Sequence, residues 1–85
     1  MLRHHTIMTY VYILHSVCGR HFYVGLTRDV GSRLAAHNAG QVRHTSKYKP
    51  WTVRTYITFS DQERAVAFEA YLKSGSGRAF ASRRF

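Results

Sequence analysis

Acidic residues are scarce in this sequence, and one of them stands where metal chemistry is feasible. Of the four acids, Asp29 and Asp61 lie in turns that begin helical patterns, and Glu63 belongs to the S-x-x-E spacing of a capping box. Glu69 remains, in mid-helix at the border of an apolar stripe. Its carboxylate could be the protein ligand of one divalent metal that keeps most of its waters, as Mg²⁺ usually does. An i, i+4 ion pair with Lys73 explains the same residue without any function.

A second pair of residues has the chemistry of a phosphate clamp. Arg33 and His37 stand one helical turn apart beside the apolar residues Val30 and Leu34, so both side chains can lean over a sheet. A guanidinium binds phosphate oxygens through planar hydrogen bonds, and an imidazole can accept or donate a proton. An exposed arginine next to a satisfied, partly buried histidine is an equally ordinary arrangement. These two residues alone leave both interpretations open.

The elements that must position these side chains begin with a β-hairpin. Segments 10–14 and 22–26 are rich in β-branched and aromatic residues, and 16–19 between them has turn character. A loop over 16–19 places Tyr12 opposite Tyr23 and makes one face of the hairpin wholly apolar. Cross-strand aromatic packing is a sufficient explanation for both tyrosines.

A short helix and a basic loop follow the hairpin. Val30, Leu34 and His37 fall on one side of a helical wheel, and Gly40 ends the predicted helix. Segment 41–50 is then a loop with several cations and no acid.

A third strand and a second helix complete the pattern. Alternation predicts a strand over 51–59, with Trp51, Val53, Thr55, Ile57 and Phe59 facing one way and Thr52, Arg54, Tyr56 and Thr58 the other. The capping box at 60–63 opens a helix that packs Ala65, Phe68 and Leu72 inward and ends at 74–77. Residues 78–85 are left as a basic aromatic tail with at most one helical turn. The order ββαβα predicts an α+β fold, a three-stranded antiparallel sheet packed by helices.

Composition limits the class of protein. The chain has 85 residues, 45% of them hydrophobic, which is enough for one folded domain and too few for two. Thirteen Lys and Arg against four acids give a formal net charge of +9, so a polyanion is the expected partner, nucleic acid before anionic membrane.

The cysteine content and the N-terminus narrow the class further. A single cysteine, Cys18, excludes a disulfide scaffold. The absence of a long apolar run predicts a cytoplasmic protein without a membrane span. His4 and His5 are expected in a loose extension before the first strand.

Taken together, the motifs resemble the GIY-YIG nuclease domain. Val11-Tyr12-Ile13 is followed ten residues later by Tyr23-Val24-Gly25, then by Arg33 and by Glu69 in the second helix. The resemblance covers about 9–73 and is strongest to the small stand-alone members. The first motif carries valine where the family name has glycine.

The resemblance implies hydrolysis of phosphodiester bonds in DNA with one divalent metal, Mg²⁺ or Mn²⁺. Tyr12 or Tyr23 would orient or deprotonate the attacking water, and Arg33 would bind the non-bridging phosphate oxygens. His37, at a position where some members have histidine, could accept the proton that Tyr12 passes on. Glu69 would hold the metal. We expect the two tyrosines, Arg33 and Glu69 to converge on one side of the sheet.

Flexible cations outside this site are expected to bind DNA phosphates rather than bases. They are Arg28, Arg43, Lys47, Lys49, Arg78, Arg83 and Arg84.

Two other functions fit the same residues. One is a nucleic-acid-binding module that has lost turnover on the same fold. The other is a basic protein-interaction domain that docks on an acidic partner through Tyr48, Trp51 and Tyr56. A partner protein or a homodimer could supply specificity to so small a domain.

Overall fold

The computed structural model describes residues 7–85, so His4 and His5 lie outside the described part. Strands β1 (Thr9–Ser16) and β2 (Phe22–Thr27) form the expected hairpin. Its loop covers 17–20 rather than 16–19, because the Ser16 backbone N–H donates to the His21 carbonyl at 2.9 Å.

This shift of the loop moves the hairpin register by two residues. Tyr12 lies opposite Gly25, and Tyr23 lies opposite Leu14; the predicted pairing of Tyr12 with Tyr23 is therefore wrong. The side chains keep their predicted faces, because a shift of two residues preserves the alternation of a strand.

Helix α1 (Val30–Asn38) has the predicted extent. Asp29 is its N-cap, and its carboxylate accepts the Ser32 N–H at 3.0 Å. Gly40 follows with φ of 76°, a left-handed conformation that ends the helix at little cost only for glycine. The basic loop after it contains a short 3₁₀ helix, Ser46–Tyr48.

Strand β3 (Trp51–Phe59) pairs with β1, and the sheet order is β2-β1-β3. Its register shifts where Ile13 pairs with Thr55 and Leu14 pairs with Val53, which leaves Arg54 as the extra residue of a bulge.

The bulge corrects the predicted alternation of β3. Trp51 and Val53 pack with Leu14, whereas Phe59 packs with Val11 on the opposite face of the sheet. The odd-numbered residues of the strand therefore divide between the two faces. An inserted residue reverses the direction of every side chain beyond it, and no local periodicity reports that insertion.

Two helices follow β3. Helix α2 (Gln62–Leu72) is capped by the Asp61 carboxylate, which accepts the Glu63 and Arg64 N–H groups at 2.9 and 3.4 Å. The predicted capping box, with Ser60 as the N-cap, is therefore wrong by one residue. Helix α3 (Gly75–Arg84) replaces the predicted tail, because Ser74 stops α2 from continuing and caps a new helix by accepting the Gly77 N–H.

The sheet is covered on both faces. Val11 and Ile13 of β1 pack against Ala65 and Leu72 of α2. Tyr12 and Leu14, which alternate with them, pack on the other face with Val30 and Leu34 of α1, and with Trp51. Strand β1 is thus buried on both sides, and the α+β class is confirmed. None of the helices in 7–85 has the length and apolar character needed to cross a membrane.

Helices α2 and α3 are in close contact at Gly77, and from this contact we predict the effect of a substitution on stability. A Cβ at Gly77 would overlap the Tyr71 carbonyl oxygen, a backbone atom that cannot rotate away. We expect Gly77→Ala to lower the free energy of unfolding by about 1–3 kcal/mol, as overpacking usually does. Gly75→Ala is the matched control, because its Cβ would meet nothing within 4 Å and alanine favours helix. Urea unfolding of both variants measures the difference, and equal stabilities would contradict the close helix contact.

Candidate active site

Tyr12 occupies the centre of the candidate site and is 1% exposed. Its ring lies over Gly25, the residue opposite it on β2, where any Cβ would overlap the Tyr12 Cζ and Oη atoms. The glycine of the Tyr-Val-Gly motif therefore provides the space that the tyrosine of the first motif fills.

A buried hydrogen-bonded chain leads away from the Tyr12 hydroxyl. The hydroxyl lies 3.0 Å from Nε2 of His37, and Nδ1 of His37 lies 2.7 Å from Oγ1 of Thr45. The Thr45 hydroxyl donates to the Val42 carbonyl at 3.3 Å, so its oxygen accepts from Nδ1. This pattern assigns the proton of neutral His37 to Nδ1 and leaves Nε2 free to accept from Tyr12.

Thr45 was not among the residues singled out from sequence. It is 2% exposed although it lies in the basic loop, and the Trp51 Nε1–H donates to its carbonyl at 2.9 Å. The Asn38 side chain accepts from the Trp51 N–H at 2.6 Å and donates to its carbonyl at 3.0 Å, which anchors the end of the loop. A threonine among polar loop residues carries no signal of burial, so only the folded loop identifies it.

Tyr23 and Arg33 border the same chain of groups. The Tyr23 ring centroid lies 4.8 Å from that of His37 and 6.2 Å from that of Tyr12. Tyr23 is on edge strand β2 and is only half-buried, as is Arg33 on α1. The structure therefore brings Tyr12, Tyr23, Arg33 and His37 together on the α1 face of the sheet.

Burial and neighbouring charges set the proton affinities of this site. Burial raises the pKa of Tyr12; Arg33 opposes this rise, while Tyr23 and the Glu69 carboxylate add to it. Burial first, and the Arg33 charge second, lower the pKa of His37. His37 is therefore the neutral acceptor at pH 7, and Tyr12 is the protonated donor.

Glu69 approaches the site from a different direction than expected. Helix α2 packs on the face opposite α1, so the expectation that both helices direct their residues to the same side is wrong. The reason is that a helical wheel shows which side of α2 is apolar but not which face of the sheet it covers. The negative charge of Glu69 nevertheless acts on the Tyr12 phenol and helps to raise its pKa.

The Glu69 side chain is 20% exposed, and its Oε2 lies 2.9 Å from Nζ of Lys73. The ion pair suggested as a structural explanation therefore exists. Within 7–85 no cluster of three or more His, Cys, Asp or Glu side chains forms a metal cage. One partly exposed carboxylate fits a hydrated Mg²⁺ or Mn²⁺ that takes its remaining ligands from water and phosphate.

The cations expected to contact nucleic acid all have exposed side chains, and these are Arg28, Arg43, Lys47, Lys49, Arg78, Arg83 and Arg84. Arg28 donates from Nη2 to the Gln62 side chain at 3.1 Å. The last three lie on helix α3, so this part of the basic surface has a fixed backbone instead of the flexible tail predicted from sequence.

Because the buried imidazole of His37 is neutral, we expect the free energy of unfolding to depend on pH. Since the pKa of His37 is lower in the folded chain than its ordinary 6.5, the unfolded chain binds a proton that the folded chain does not. The stabilisation is complete above pH 6.5, declines as pH falls toward the folded pKa, and levels off below it. Urea unfolding between pH 5 and 8, with the imidazole titration followed by NMR, measures both quantities. A His37 pKa at or above 6.5 would contradict the assigned tautomer chain.

Comparison with known proteins identifies a family. The model of the GIY-YIG catalytic domain matches residues 8–82. The UPF0213 protein SpyM3_1077 of Streptococcus pyogenes serotype M3 is 35% identical over 75 residues, which cover 87% of this chain and 80% of that protein. The UPF0213 protein SpyM50708 of serotype M5 is 33% identical over the same shares. No solved structure gives a significant match.

Proposed function

The chain belongs to the GIY-YIG family, and from that premise we propose that it is a metal-dependent endonuclease that hydrolyses phosphodiester bonds in DNA. Family membership indicates a nuclease-type function. The observation that carries the finer proposal is the buried chain from the Tyr12 hydroxyl through His37 to Thr45. Such a chain offers a path along which a proton can leave a reacting water.

The proposed reaction is attack of water on a phosphodiester, which requires a proton acceptor near the nucleophile. Burial raises the pKa of Tyr12, so the phenol is not ionised beforehand. It takes the proton of the attacking water as it passes its own proton to Nε2 of His37. Thr45 accepts from Nδ1 throughout and keeps Nε2 directed at Tyr12.

Three further residues act on the phosphate or on the metal that neutralises its charge. The half-buried Arg33 donates to the non-bridging oxygens, and Tyr23, at the open side of the site, orients the water or the phosphate. Glu69 is the residue that would hold the metal, and a bound divalent cation supplies charge neutralisation at the leaving oxygen. The exposed cations of the basic loop and α3 hold the DNA backbone.

A plasmid-nicking assay tests this proposal directly. With Mg²⁺ or Mn²⁺ we expect supercoiled plasmid to become nicked, and with EDTA to remain intact. DNA binding without nicking in either metal would favour the alternative of a binding module without turnover. Steep loss of DNA affinity with the logarithm of salt concentration separates both from a protein-docking domain.

A further inference from the structure

A groove outside the residues assigned to catalysis lies between the hairpin and helix α3. We name it the hairpin groove; strand β2, the hairpin loop, the end of α2 and helix α3 line it. Its volume is about 710 Å³, which lies within the range of about 300–1,000 Å³ typical of small-molecule sites. Space of this size accommodates a nucleotide.

The charged side chains that line the hairpin groove are all cations. Arg20, Arg54, Lys73 and Arg78 line it, and its lining residues include no acid. Arg54 is there because it is the bulged residue of β3, and its Nε donates to the main-chain oxygen of Phe85 on the far wall at 2.6 Å. Cations gathered around a concavity concentrate the electrostatic field that attracts an anion.

An exposed aromatic ring forms one wall. Phe22 is 54% exposed, yet its ring is held in place, stacked on His15 at 5.0 Å between centroids with 9° between the planes. The Arg54 guanidinium lies 5.4 Å from the Phe22 centroid. A braced aromatic ring beside cations is the arrangement on which unpaired bases stack.

The hairpin groove adjoins the candidate active site at two points. Tyr23 lines the groove and lies beside His37. Lys73 also lines it and is the ion-pair partner of Glu69. The groove lies on the α2 face of the sheet and the candidate site on the α1 face. A DNA strand that contacts both therefore passes around edge strand β2, where Tyr23 lies.

We propose that the hairpin groove binds an unpaired nucleotide of the substrate strand, with its base stacked on Phe22 and its phosphate among the cations. A base paired in a duplex cannot enter a groove lined by protein on both sides. The favoured substrate class is consequently DNA with a single-stranded segment beside the cleaved bond. This inference rests on the proposed endonuclease function for its placement of the scissile phosphate.

Binding measured in EDTA, where no DNA is cut, tests the inference separately from activity. The probes are a fluorescein-labelled duplex with a single-stranded thymidine tail and the same duplex with blunt ends, followed by anisotropy. We expect the wild-type chain to bind the tailed probe more tightly. Phe22→Ala should lower affinity for the tailed probe by about fivefold or more, the smallest usual contribution of a stacked base, and leave the blunt probe unchanged.

Two variants control for folding and for a general loss of surface. Phe22→Tyr keeps a ring that can stack and should restore binding of the tailed probe. Tyr56→Ala removes an aromatic ring that is also 54% exposed but lies outside the groove, and should leave the preference intact. Equal losses on both probes, no loss with Phe22→Ala, or displacement of the tailed probe by poly-glutamate but not by single-stranded DNA would overturn the inference.

The outcome is separable from that of the proposed function. If the wild-type chain nicks plasmid but Phe22→Ala changes no affinity, the groove is not a nucleotide site and the endonuclease proposal stands. If the wild-type chain cuts nothing yet binds the tailed probe through Phe22, the nucleotide site stands and the endonuclease proposal fails.

Discussion

The Glu69→Ala variant is expected to bind DNA as the parent does and to cut none of it. The substitution removes the carboxylate that would hold the metal beside the phosphate, while Arg33 and the exposed cations remain. Stability should change by no more than about 0.5 kcal/mol, because the lost ion pair is of the i, i+4 type and Lys73 is half exposed. Nicking, DNA titration and thermal unfolding of the same preparation measure the three quantities.

Glu63→Ala is the matched control for this variant. Glu63 lies on the same helix with an exposed side chain. Because both residues are glutamates, Glu63→Ala changes the net charge of the chain by the same amount as Glu69→Ala. It should cut at the parent's rate. A Glu69→Ala variant that also nicks at the parent's rate would rule out Glu69 as the metal ligand and leave only its structural pair with Lys73.

The second large effect is expected for Tyr12→Phe. Loss of the hydroxyl interrupts proton transfer to His37, so cleavage should fall by about 10²–10⁴-fold, the contribution of a positioned general base. Loss of the hydroxyl also leaves the buried Nε2 of His37 without a hydrogen-bond donor, which should lower the free energy of unfolding by about 1–3 kcal/mol. Single-turnover cleavage and urea unfolding report the two effects separately.

Tyr10→Phe provides the comparison on the same strand. Tyr10 is half-buried, with its ring centroid 5.7 Å from that of Tyr56, and its hydroxyl forms no hydrogen bond with another residue of 7–85. Its loss should alter neither rate nor stability appreciably. Cleavage by Tyr12→Phe at the rate of Tyr10→Phe would show that the proton leaves by another route.

Local signals in the sequence were sufficient to predict β1, β2, α1, β3 and α2 and to indicate the family. The spacing of Val30, Leu34 and His37 along the helical wheel arises within the helix itself. The end of the helix is also a local signal, because Gly40 adopts a positive φ and glycine does so at little energetic cost. The two tripeptides around Tyr12 and Tyr23 identified the family, and the family match confirms that resemblance.

Local sequence signals are least informative where one element ends and another begins. Ser74 to Gly77 ends α2, as expected, and also begins α3. The hydrophobic pattern of α3 is too weak to distinguish a helix from a tail, so packing of Gly77 against Tyr71 decides the outcome. The predicted hairpin register is wrong for a related reason: loops over 16–19 and 17–20 direct the side chains to the same faces, so the hydrophobic pattern does not distinguish them.

What the sequence by itself determined was the set of reactive residue types, the elements that carry them and the positive charge that favours a polyanionic partner. Only the tertiary structure decided how these residues meet. It placed α2 on the face opposite α1, brought Thr45 under His37, and turned Arg54 into the hairpin groove through a bulge. Each of these depends on contacts between residues distant in the chain, and periodicity describes only which side of an element is apolar, not what that side will touch.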